Sequence, residues 1–280
     1  MKFTKMHGCG NDYIFINCFK ELVYCPDSLA KKLSDRHYGI GGDGLVLIGY
    51  SKIADYRMSM YNRDGTIGEM CGNAIRCVGK YVYDNKMIHK TVITIETLAG
   101  IKRLYLKVKE EQVVEVMVDM GKPIFAPQAI PVRSEKNIVI DEPIQVLGEE
   151  YRMTCVSMGN PHAVVFVDNI DDIQMEQCGI PFEHHLRFPN RTNVEFVQIV
   201  NRENIKMRVW ERGTGETLSC GTGACASVVA GILNNKLGNE VVVSSPGGEL
   251  KVYYEMDKYN VFLSGTAKVV FTGVVNPFTW

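Results

Sequence analysis

Most apolar positions in this chain fall in short runs with the composition of β-strands. The runs are rich in β-branched and aromatic residues and are separated by residues that favour turns. They are predicted to be strands at residues 13–16, 45–48, 92–95, 113–118, 163–167 and 241–243. A chain with this many short strands is expected to be built mainly from β-sheet.

Helical periodicity is found in fewer places. Apolar residues at three- and four-residue steps predict one helix that follows Cys71 and extends through Val82, and another that follows Cys220 and extends through Leu233. Gly238 is expected to end the second of these helices. A further helix is predicted over residues 28–34. Helices and strands alternate, so the pattern favours a mixed α/β fold.

The chain repeats itself at a shift of 149 positions. This shift carries Cys71-Gly72 onto Cys220-Gly221. It also carries Gly10-Asn11 onto Gly159-Asn160, 45–48 onto 194–197, Tyr61-Asn62-Arg63 onto Trp210-Glu211-Arg212, and Ile101-Lys102 onto Leu250-Lys251. Segments that recur in one order at one spacing predict two similar halves, which at this length form two domains. We predict an N-terminal domain over 1–120, completed by a C-terminal strand at 266–280, and a second domain over 121–265.

Composition and charge narrow the function classes. Hydrophobic residues make up 46% of the chain and charged residues 22%, as in ordinary folded proteins. A formal net charge of -1 gives no general attraction to nucleic acid or to a membrane surface, so we expect a small-molecule partner instead. No apolar run reaches the roughly 18–20 residues of a membrane span, and the first residues do not resemble a secretory signal. These features favour a cytoplasmic protein.

The cysteines are expected to be reduced and not to bind metal. There are nine of them, an odd number in a chain without a signal, which argues against a disulfide framework. No two are spaced as in a CxxC zinc site, so no metal ligand set is predicted. Most of them are expected to be small buried apolar residues.

Cys71 and Cys220 are different, because each stands immediately before a predicted helix. The first amides of a helix have no internal acceptor and carry partial positive charge, which favours a thiolate and binds an anion. Gly72 and Gly221 follow the two cysteines and let a substrate carboxylate approach the backbone closely. Each motif therefore predicts a carboxylate site beside a reactive thiol.

Two such sites predict stereoinversion. If the halves face each other, one thiolate can remove the α-proton of an amino acid while the opposite thiol delivers a proton to the other face. The carbanion would then be stabilised by preorganised dipoles in a site protected from water, without a cofactor. A single Cys-Gly pair would be weak evidence, whereas two pairs related by the repeat favour an epimerase.

These residues lie in motifs that resemble those of the diaminopimelate epimerase family over nearly the whole chain. The similarity includes the opening Lys5-Met6-His7-Gly8-Cys9-Gly10-Asn11-Asp12, the segment Tyr61-Asn62-Arg63-Asp64-Gly65, and Met70-Cys71-Gly72-Asn73. Further along, it includes Gly159-Asn160-Pro161-His162, Arg191-Thr192-Asn193, Trp210-Glu211-Arg212-Gly213 and Cys220-Gly221-Thr222-Gly223-Ala224-Cys225.

The resemblance implies interconversion of LL- and meso-diaminopimelate in lysine and cell-wall precursor synthesis. It implies no pyridoxal phosphate and no metal, a homodimer, and two pseudo-symmetric domains, each a mixed sheet around a central helix. Cys71 and Cys220 would be the acid/base pair. Gly72, Asn73, Gly221 and Thr222 would hold the reacting carboxylate; Asn62, Asn160, Asn193, Glu211 and Arg212 would bind the distal end; Asn11 and His162 would line the pocket.

One position departs from the family, and other functions stay open. Some members have Gln where this chain has Gly44, which puts one substrate contact in doubt. A proline or hydroxyproline racemase is the nearest alternative, but those relatives typically place His where Asn73 stands. A non-catalytic amino-acid-binding module, a phenazine-type isomerase and a cysteine hydrolase using Cys220 and His162 explain the two repeated thiols less well.

Overall fold

The computed structural model describes residues 1–276 of the chain, which divides into two compact units. One unit contains Met1–Val118 together with the segment that starts at Gly265, and the other contains Asp119–Ser264. The sequence places these boundaries at 120/121 and 265/266. A strand is found at Lys268–Val274, within the predicted strand at 266–280, whose last residues, 277–280, lie outside the described part.

The first unit is a mixed sheet with two helices. Along the sheet the strands run in the order β18, β1, β2, β3, β4, β6, β7, β8, and the pairs β2–β3 and β4–β6 are parallel. A short strand β5 also pairs with β4. The strands are β1 (Lys2–Gly8), β2 (Asn11–Asn17), β3 (Gly44–Gly49), β4 (Tyr56–Asn62), β5 (Ile67–Gly68), β6 (Val92–Thr97), β7 (Gly100–Lys109), β8 (Gln112–Gly121) and β18 (Lys268–Val274), and the helices are α1 (Pro26–Ser34) and α2 (Gly72–Asp84).

The second unit has the same plan. Its strands run in the order β9, β10, β11, β12, β13, β15, β16, β17, with β11–β12 and β13–β15 parallel and β14 beside β13. The strands are β9 (Glu142–Val146), β10 (Glu149–Ser157), β11 (Pro161–Phe166), β12 (Asn193–Asn201), β13 (Asn204–Glu211), β14 (Gly215–Thr217), β15 (Glu240–Ser245), β16 (Gly248–Glu255) and β17 (Asn260–Gly265), and the helices are α3 (Met175–Glu183) and α4 (Gly221–Leu233), with a 3-10 turn at Ile170–Asp172.

Each sheet surrounds one helix and carries a second helix on its other face. Helix α2 contacts β1, β2 and β7, and α4 contacts β10, β11, β12 and β16. Alternate strand residues face the other helix: Ile14 and Leu45 pack with Leu33 of α1, and Phe196 packs with Phe182 of α3. Because these strands are buried on both faces, their sequences are continuous apolar runs. The predicted mixed fold with a central helix in each half is confirmed.

Strand register confirms the internal repeat around the cysteines. In the first unit Tyr13 lies opposite Gly44 in the parallel pair β2–β3. In the second unit His162 lies opposite Asn193 in the parallel pair β11–β12, 149 positions later. Because these pairs match in type and register, equivalent residues of the two halves can be compared directly.

The shift of 149 positions does not extend to the hairpins formed by β6 and β7 and by β15 and β16. The hairpin of β6 and β7 pairs Thr97 with Gly100, and that of β15 and β16 pairs Ser245 with Gly248. These turns are 148 positions apart. The prediction that Ile101 matches Leu250 was therefore wrong by one residue, because a one-residue difference between the halves precedes the hairpins.

Two helix predictions also need correction. Helix α4 ends at Leu233, with Asn234 as its cap and Asn235 in the left-handed region (φ 57), so Gly238 does not end it. Helix α3 was not predicted. It contains Pro181, which weakens the usual sequence signal for a helix. In the described part of the chain, no helix is both long enough and apolar enough to span a bilayer.

Candidate active site

Cys71 is the N-cap residue of the central helix of the first unit. Its backbone is extended (φ -131, ψ 123), and its carbonyl accepts the first helical hydrogen bond, from the Ile75 amide at 2.9 Å. The helix begins at Gly72, as the sequence predicts. The partly buried Cys71 therefore precedes the free amides of the first helical turn, and such a helix terminus can bind an anion.

Asn11 is the polar group next to this thiol. The Cys71 Sγ donates to Asn11 Oδ1 at 3.3 Å, and Asn73 Nδ2 donates to the same oxygen at 3.4 Å. On its other side Asn11 Nδ2 donates to Asp43 Oδ2 at 2.7 Å. Asp43 therefore fixes the amide so that its oxygen, and not its NH2 group, faces the thiol.

A group of four charged residues supports Asn11. Asp43 also accepts from the Asp12 amide at 3.0 Å and from Arg36 at 3.0 Å. Asp12 pairs with Arg36 at 2.7 Å and with the buried Lys5 at 2.6 Å. Burial opposes ionisation of Asp12, but hydrogen bonds from Arg36 and Lys5 outweigh it and hold its pKa below the usual value. The Asp12 carboxylate is thus charged and fixed at neutral pH.

Tyr13 is a further neighbour of Cys71. Its ring is buried, and burial is the main reason why its pKa lies well above the usual value. Electrostatic interaction and a hydrogen bond with Cys71 raise the pKa further, and the charge of Asp43 adds to the effect. The hydroxyl is therefore protonated and can donate to the sulfur.

Arg76 lies on the inner side of the same helix and is fully buried. It donates to the Gly72 carbonyl at 2.8 Å and to Asn73 Oδ1 at 2.7 Å. Both acceptors are neutral groups, so these two contacts are hydrogen bonds and not ion pairs. The Asn73 side chain is part of this scaffold, so its backbone amide is the group that can bind a substrate carboxylate.

Asn62 completes the predicted residues of the first unit. It stands at the end of β4, and its Nδ2 donates to Thr66 Oγ1 at 2.9 Å. Thr66 in turn donates to Asp64 at 2.6 Å. The hydrogen bonds between residues 1–276 leave the amide oxygen of Asn62 available as an acceptor.

Gly44 is excluded as a substrate contact by strand packing. A Cβ at this position would lie 2.2 Å from the Tyr61 carbonyl oxygen and 3.1 Å from the Tyr13 ring. Real Cβ atoms do not approach backbone so closely, so the strands as paired leave no room for any side chain. The packing of β3 and β4 therefore requires glycine at position 44.

Cys220 is the N-cap residue of the central helix of the second unit. Its backbone has nearly the conformation of Cys71 (φ -121, ψ 115), and its Sγ accepts from the Gly223 amide at 3.4 Å. Thr222 Oγ1 lies 3.4 Å from the same sulfur. Gly221 begins the helix and is buried with the thiol, of which 6% is exposed. The helix terminus is again directed at the sulfur.

The expected low pKa is wrong for Cys220. Burial raises the pKa of its thiol well above 9.0, and the nearby Glu211 carboxylate raises it further. Hydrogen bonds from Thr222 and the Gly223 amide lower it, but by less. Desolvation outweighs the helix terminus here, so Cys220 is a thiol at neutral pH and a potential proton donor.

His162 lies in a buried chain of hydrogen bonds. Its Nδ1 is 2.7 Å from Glu195 Oε1, and its Nε2 is 3.1 Å from Asn160 Oδ1. Both His162 and Glu195 have no exposed surface. Glu195 lies next to Gly223 of α4, so these two side chains are on the sheet face that α4 covers.

The remaining predicted residues cluster at the ends of β12 and β13. Asn193 Oδ1 accepts from the Arg212 amide at 2.8 Å, and its Nδ2 donates to the Pro161 carbonyl at 2.8 Å. Glu211 accepts a short hydrogen bond from Thr217. Asn193 thus supports the strand ends, while Glu211 and the guanidinium of Arg212, which donates to the Asn190 carbonyl at 3.1 Å, carry the charges.

In the first unit hydrogen bonds connect Cys71 and Asn73 to Asn11, whereas Asn62 is bonded to Thr66. In the second unit they connect Cys220 to Thr222, His162 to Asn160, and Asn193 to Arg212. Sequence reasoning missed Tyr13, Asp43 and Glu195 as members of the site. The repeat could have found Tyr13, which stands 149 positions before His162. A glycine-rich turn surrounds Asp43, so its pattern indicated only a loop. Glu195 was hidden in an apolar strand, where one buried acid has no periodic signal.

Comparison with known proteins identifies the family. The model of the family described as diaminopimelate epimerase matches residues 3–126 and 154–270. "Diaminopimelate epimerase" of Acetivibrio thermocellus is 54% identical over 276 residues, covering 99% of both chains. That of Methanococcus maripaludis is 52% identical over 277 residues, covering 99% of this chain and 100% of the relative.

A distant solved structure shares the fold. The hydroxyproline epimerase of Agrobacterium vitis, solved with trans-4-hydroxy-L-proline, has a TM-score of 0.71 at 15% identity and covers 99% of this chain and 92% of its own. The fold is therefore wider than one substrate class. The full-length similarity at about half identity and the two-segment family match decide the assignment. This chain belongs to the diaminopimelate epimerase family.

Proposed function

We propose that this protein interconverts LL- and meso-2,6-diaminopimelate by a two-thiol mechanism that uses Cys71 and Cys220. The observation that carries the proposal is that each unit has a cysteine as the N-cap residue of its central helix, followed by a buried glycine. The chain is an isomerase of the family identified above. Full-length relatives at 54% and 52% identity are named for this reaction.

Two carboxylate sites are part of the proposal. The amides that follow Cys71, at Gly72 and Asn73, and those that follow Cys220, at Gly221 and Thr222, donate to the carboxylate of the reacting centre. These amides are fixed by the helices and need no rearrangement when charge develops at the α-carbon. Preorganised donors of this kind supply the stabilisation that an α-carbanion needs in the absence of an electron sink.

The thiols exchange the proton. In one direction a thiolate at Cys71 takes the α-proton, and the Cys220 thiol donates its own proton to the opposite face of the carbanion. The reverse direction starts with the proton on Cys71. The raised pKa of Cys220 supports its role as the proton donor of the resting protein. Asn11 accepts from the Cys71 thiol and holds it in place.

The distal amino-acid end of diaminopimelate is bound by charged and amide side chains. Arg212 pairs with the distal carboxylate, and Glu211 accepts from the distal ammonium group. Amides, which both donate and accept, complete this recognition. They belong to Asn62, Asn160 and Asn193, with His162 as a supporting residue.

Several parts of the proposal concern the protein as a whole. We expect neither cofactor nor metal to be required, a homodimer in the cytoplasm, and a place in lysine and peptidoglycan precursor synthesis. Neither nucleic acid nor membrane is an expected partner. Sedimentation analysis of the purified protein, and activity after treatment with a chelator, test the oligomeric state and the metal requirement.

Proton NMR in D2O tests the reaction itself. Purified protein is incubated with LL-diaminopimelate, a thiol reductant and a chelator, without added cofactor. Loss of the α-proton signal with formation of the meso isomer is expected, and the exposed Cys25→Ser variant serves as the active control. No exchange by folded, reduced protein would refute the proposal, and proline analogues would then be tested in the same assay.

A further inference from the structure

Glu195 is a buried acid that the proposed mechanism does not use. It has no exposed surface, and its Oε2 has no hydrogen-bond partner among the described residues. Within the described part of the chain, the side-chain partner of its Oε1 is the imidazole of His162 at 2.7 Å. A carboxylate with one oxygen unsatisfied by the protein is costly in the interior, because burial removes the hydration of its charge.

The hydrogen bonds of His162 show where a proton must lie. A neutral imidazole has one donor and one acceptor nitrogen. The Nε2 faces Asn160 Oδ1, an acceptor, at 3.1 Å, so this contact is a hydrogen bond when Nε2 carries the proton. The Nδ1 then accepts from a protonated Glu195, or shares one proton with it. A protonated Glu195 leaves only a neutral carbonyl oxygen unsatisfied, which is far less costly than a charged one.

The first half of the repeat explains why an acid is needed only here. The residues 149 positions before His162 and Glu195 are Tyr13 and Val46, both buried. A tyrosine ring has no nitrogen at its edge, and a valine can pack beside it. An imidazole at the same place has a ring nitrogen that needs a partner, and Glu195 supplies it.

The residue of helix α4 that faces Glu195 also differs between the two halves. A Cβ at Gly223 would lie 2.6 Å from Glu195 Oε1, so glycine at this position makes room for the carboxyl group. In the first half, the residue equivalent to Gly223 is Ala74, and the residue equivalent to Glu195 is the smaller Val46. Acid, imidazole and glycine therefore occur together in one half, as parts of one arrangement.

We propose that Glu195 is a positioning residue, which keeps His162 protonated at Nε2 so that His162 fixes Asn160 with its amide NH2 group directed to the substrate. The proton stays within the pair and no bond to substrate forms. This inference rests on the proposed function in one respect, namely that Asn160 donates to the distal end of diaminopimelate. The Glu195–His162 pair would contribute to substrate specificity, and it occurs in the second half but not in the first.

The protonation of His162 is tested without substrate. The full-length reduced protein, labelled with ¹⁵N histidine, is examined by NMR at neutral pH, and the His162→Asn variant identifies the signal. A proton on Nε2 is expected. A ring protonated only at Nδ1 would overturn the proposal, whether or not the protein proves to be an epimerase of diaminopimelate.

Kinetics test the consequence for substrate binding. Glu195→Gln reproduces the protonated acid, since its NH2 can donate to Nδ1 and its oxygen can occupy the place of Oε2. This variant should keep the KM of the parent. Glu195→Ala should raise KM about tenfold, the effect of one lost hydrogen bond, with a smaller change in kcat. Glu142→Gln is the control for loss of a partly buried acid, since the Glu142 carboxylate is bound by Arg187 and Ser134.

The outcomes are distinct. Equal impairment of Glu195→Gln and Glu195→Ala would overturn the donor role, since a carboxylate charge would then be required. An unchanged KM in folded Glu195→Ala would overturn the positioning role. If Glu195→Ala does not fold, the Glu195→Gln variant and the ¹⁵N spectrum still decide the question.

Discussion

The thiol of Cys71 lies 3.3 Å from the side-chain oxygen of Asn11, whose amide nitrogen is bound to Asp43 at 2.7 Å. Asp43→Asn would permit the Asn11 amide to turn and present its NH2 group to the sulfur. We expect kcat/KM to fall about tenfold, the effect of one misdirected hydrogen bond, while the protein stays folded. Steady-state epimerisation kinetics measure the change.

The control for Asp43→Asn is Glu111→Gln, which removes an exposed carboxylate paired with Lys86 at 2.9 Å. This control should leave kcat/KM unchanged. An Asp43→Asn variant as active as the parent would mean that Asn11 keeps its orientation without Asp43.

Replacement of either N-cap cysteine by serine should remove epimerisation. A hydroxyl is a much weaker acid and base than a thiol at the same position, so loss of proton transfer should lower kcat by about 10²–10⁴-fold. Cys71→Ser and Cys220→Ser are each assayed by formation of the meso isomer. Cys25→Ser, at an exposed position, should keep parental activity. Full activity in either N-cap variant would rule out the two-thiol mechanism.

The sequence predicts the parts of this fold that repeat. Helices after Cys71 and Cys220, the strands beside them and the division into halves all follow from local pattern and from the shift of 149 positions. Helix α3 escaped prediction because Pro181 weakens the local helical signal, and because the packing of Phe182 on the sheet depends on tertiary structure. The end of α4 at Asn234 likewise depends on a local backbone conformation and not on the expected glycine.

The site was predicted as a set of residues but not as a set of protonation states. The motifs gave the thiols and the polar groups around them. The helix terminus alone predicts a lowered pKa for Cys220, whereas burial and Glu211 reverse the direction. Burial of one side chain depends on the packing of several strands, which no single motif reports.

Gly44→Ala should be strongly destabilising. The new Cβ would lie 2.2 Å from the Tyr61 carbonyl oxygen, so the pair β3–β4 would have to separate locally. We expect the free energy of unfolding to fall by at least about 1–3 kcal/mol, the usual cost of overpacking. Urea denaturation measures it. Gly49→Ala is the matched control in the same strand, since its Cβ would lie 4.0 Å from the nearest atom, in Cys18. Equal stability of the two variants would contradict the packing argument.

Alkylation should report the raised pKa of Cys220. The thiolate is the reactive form, and burial followed by the charge of Glu211 shifts its formation to a pH well above 9.0. The rate of Cys220 modification by iodoacetamide, followed by peptide mass spectrometry, should therefore continue to rise above about pH 9. The shape of the profile is compared, and not the absolute rate, because burial also slows access. A plateau near neutral pH would show that the helix terminus outweighs burial after all.

Gly223→Ala should lower stability, although the same change usually stabilises a helix by about 1 kcal/mol. Its Cβ would lie 2.6 Å from Glu195 Oε1, and overpacking of this kind costs about 1–3 kcal/mol. The first half of the repeat has Ala74 and Val46 at the equivalent positions, so Glu195→Val should relieve the collision.

A double-mutant cycle separates this relief from other effects. The combined Gly223→Ala and Glu195→Val variant should be more stable than the sum of the two single changes predicts, because the two side chains share one space. Glu195→Val alone leaves His162 Nδ1 without its partner, and the cycle subtracts that cost. Additive effects, measured as free energies of unfolding in urea, would mean that glycine at 223 is needed for a reason other than the carboxyl group of Glu195.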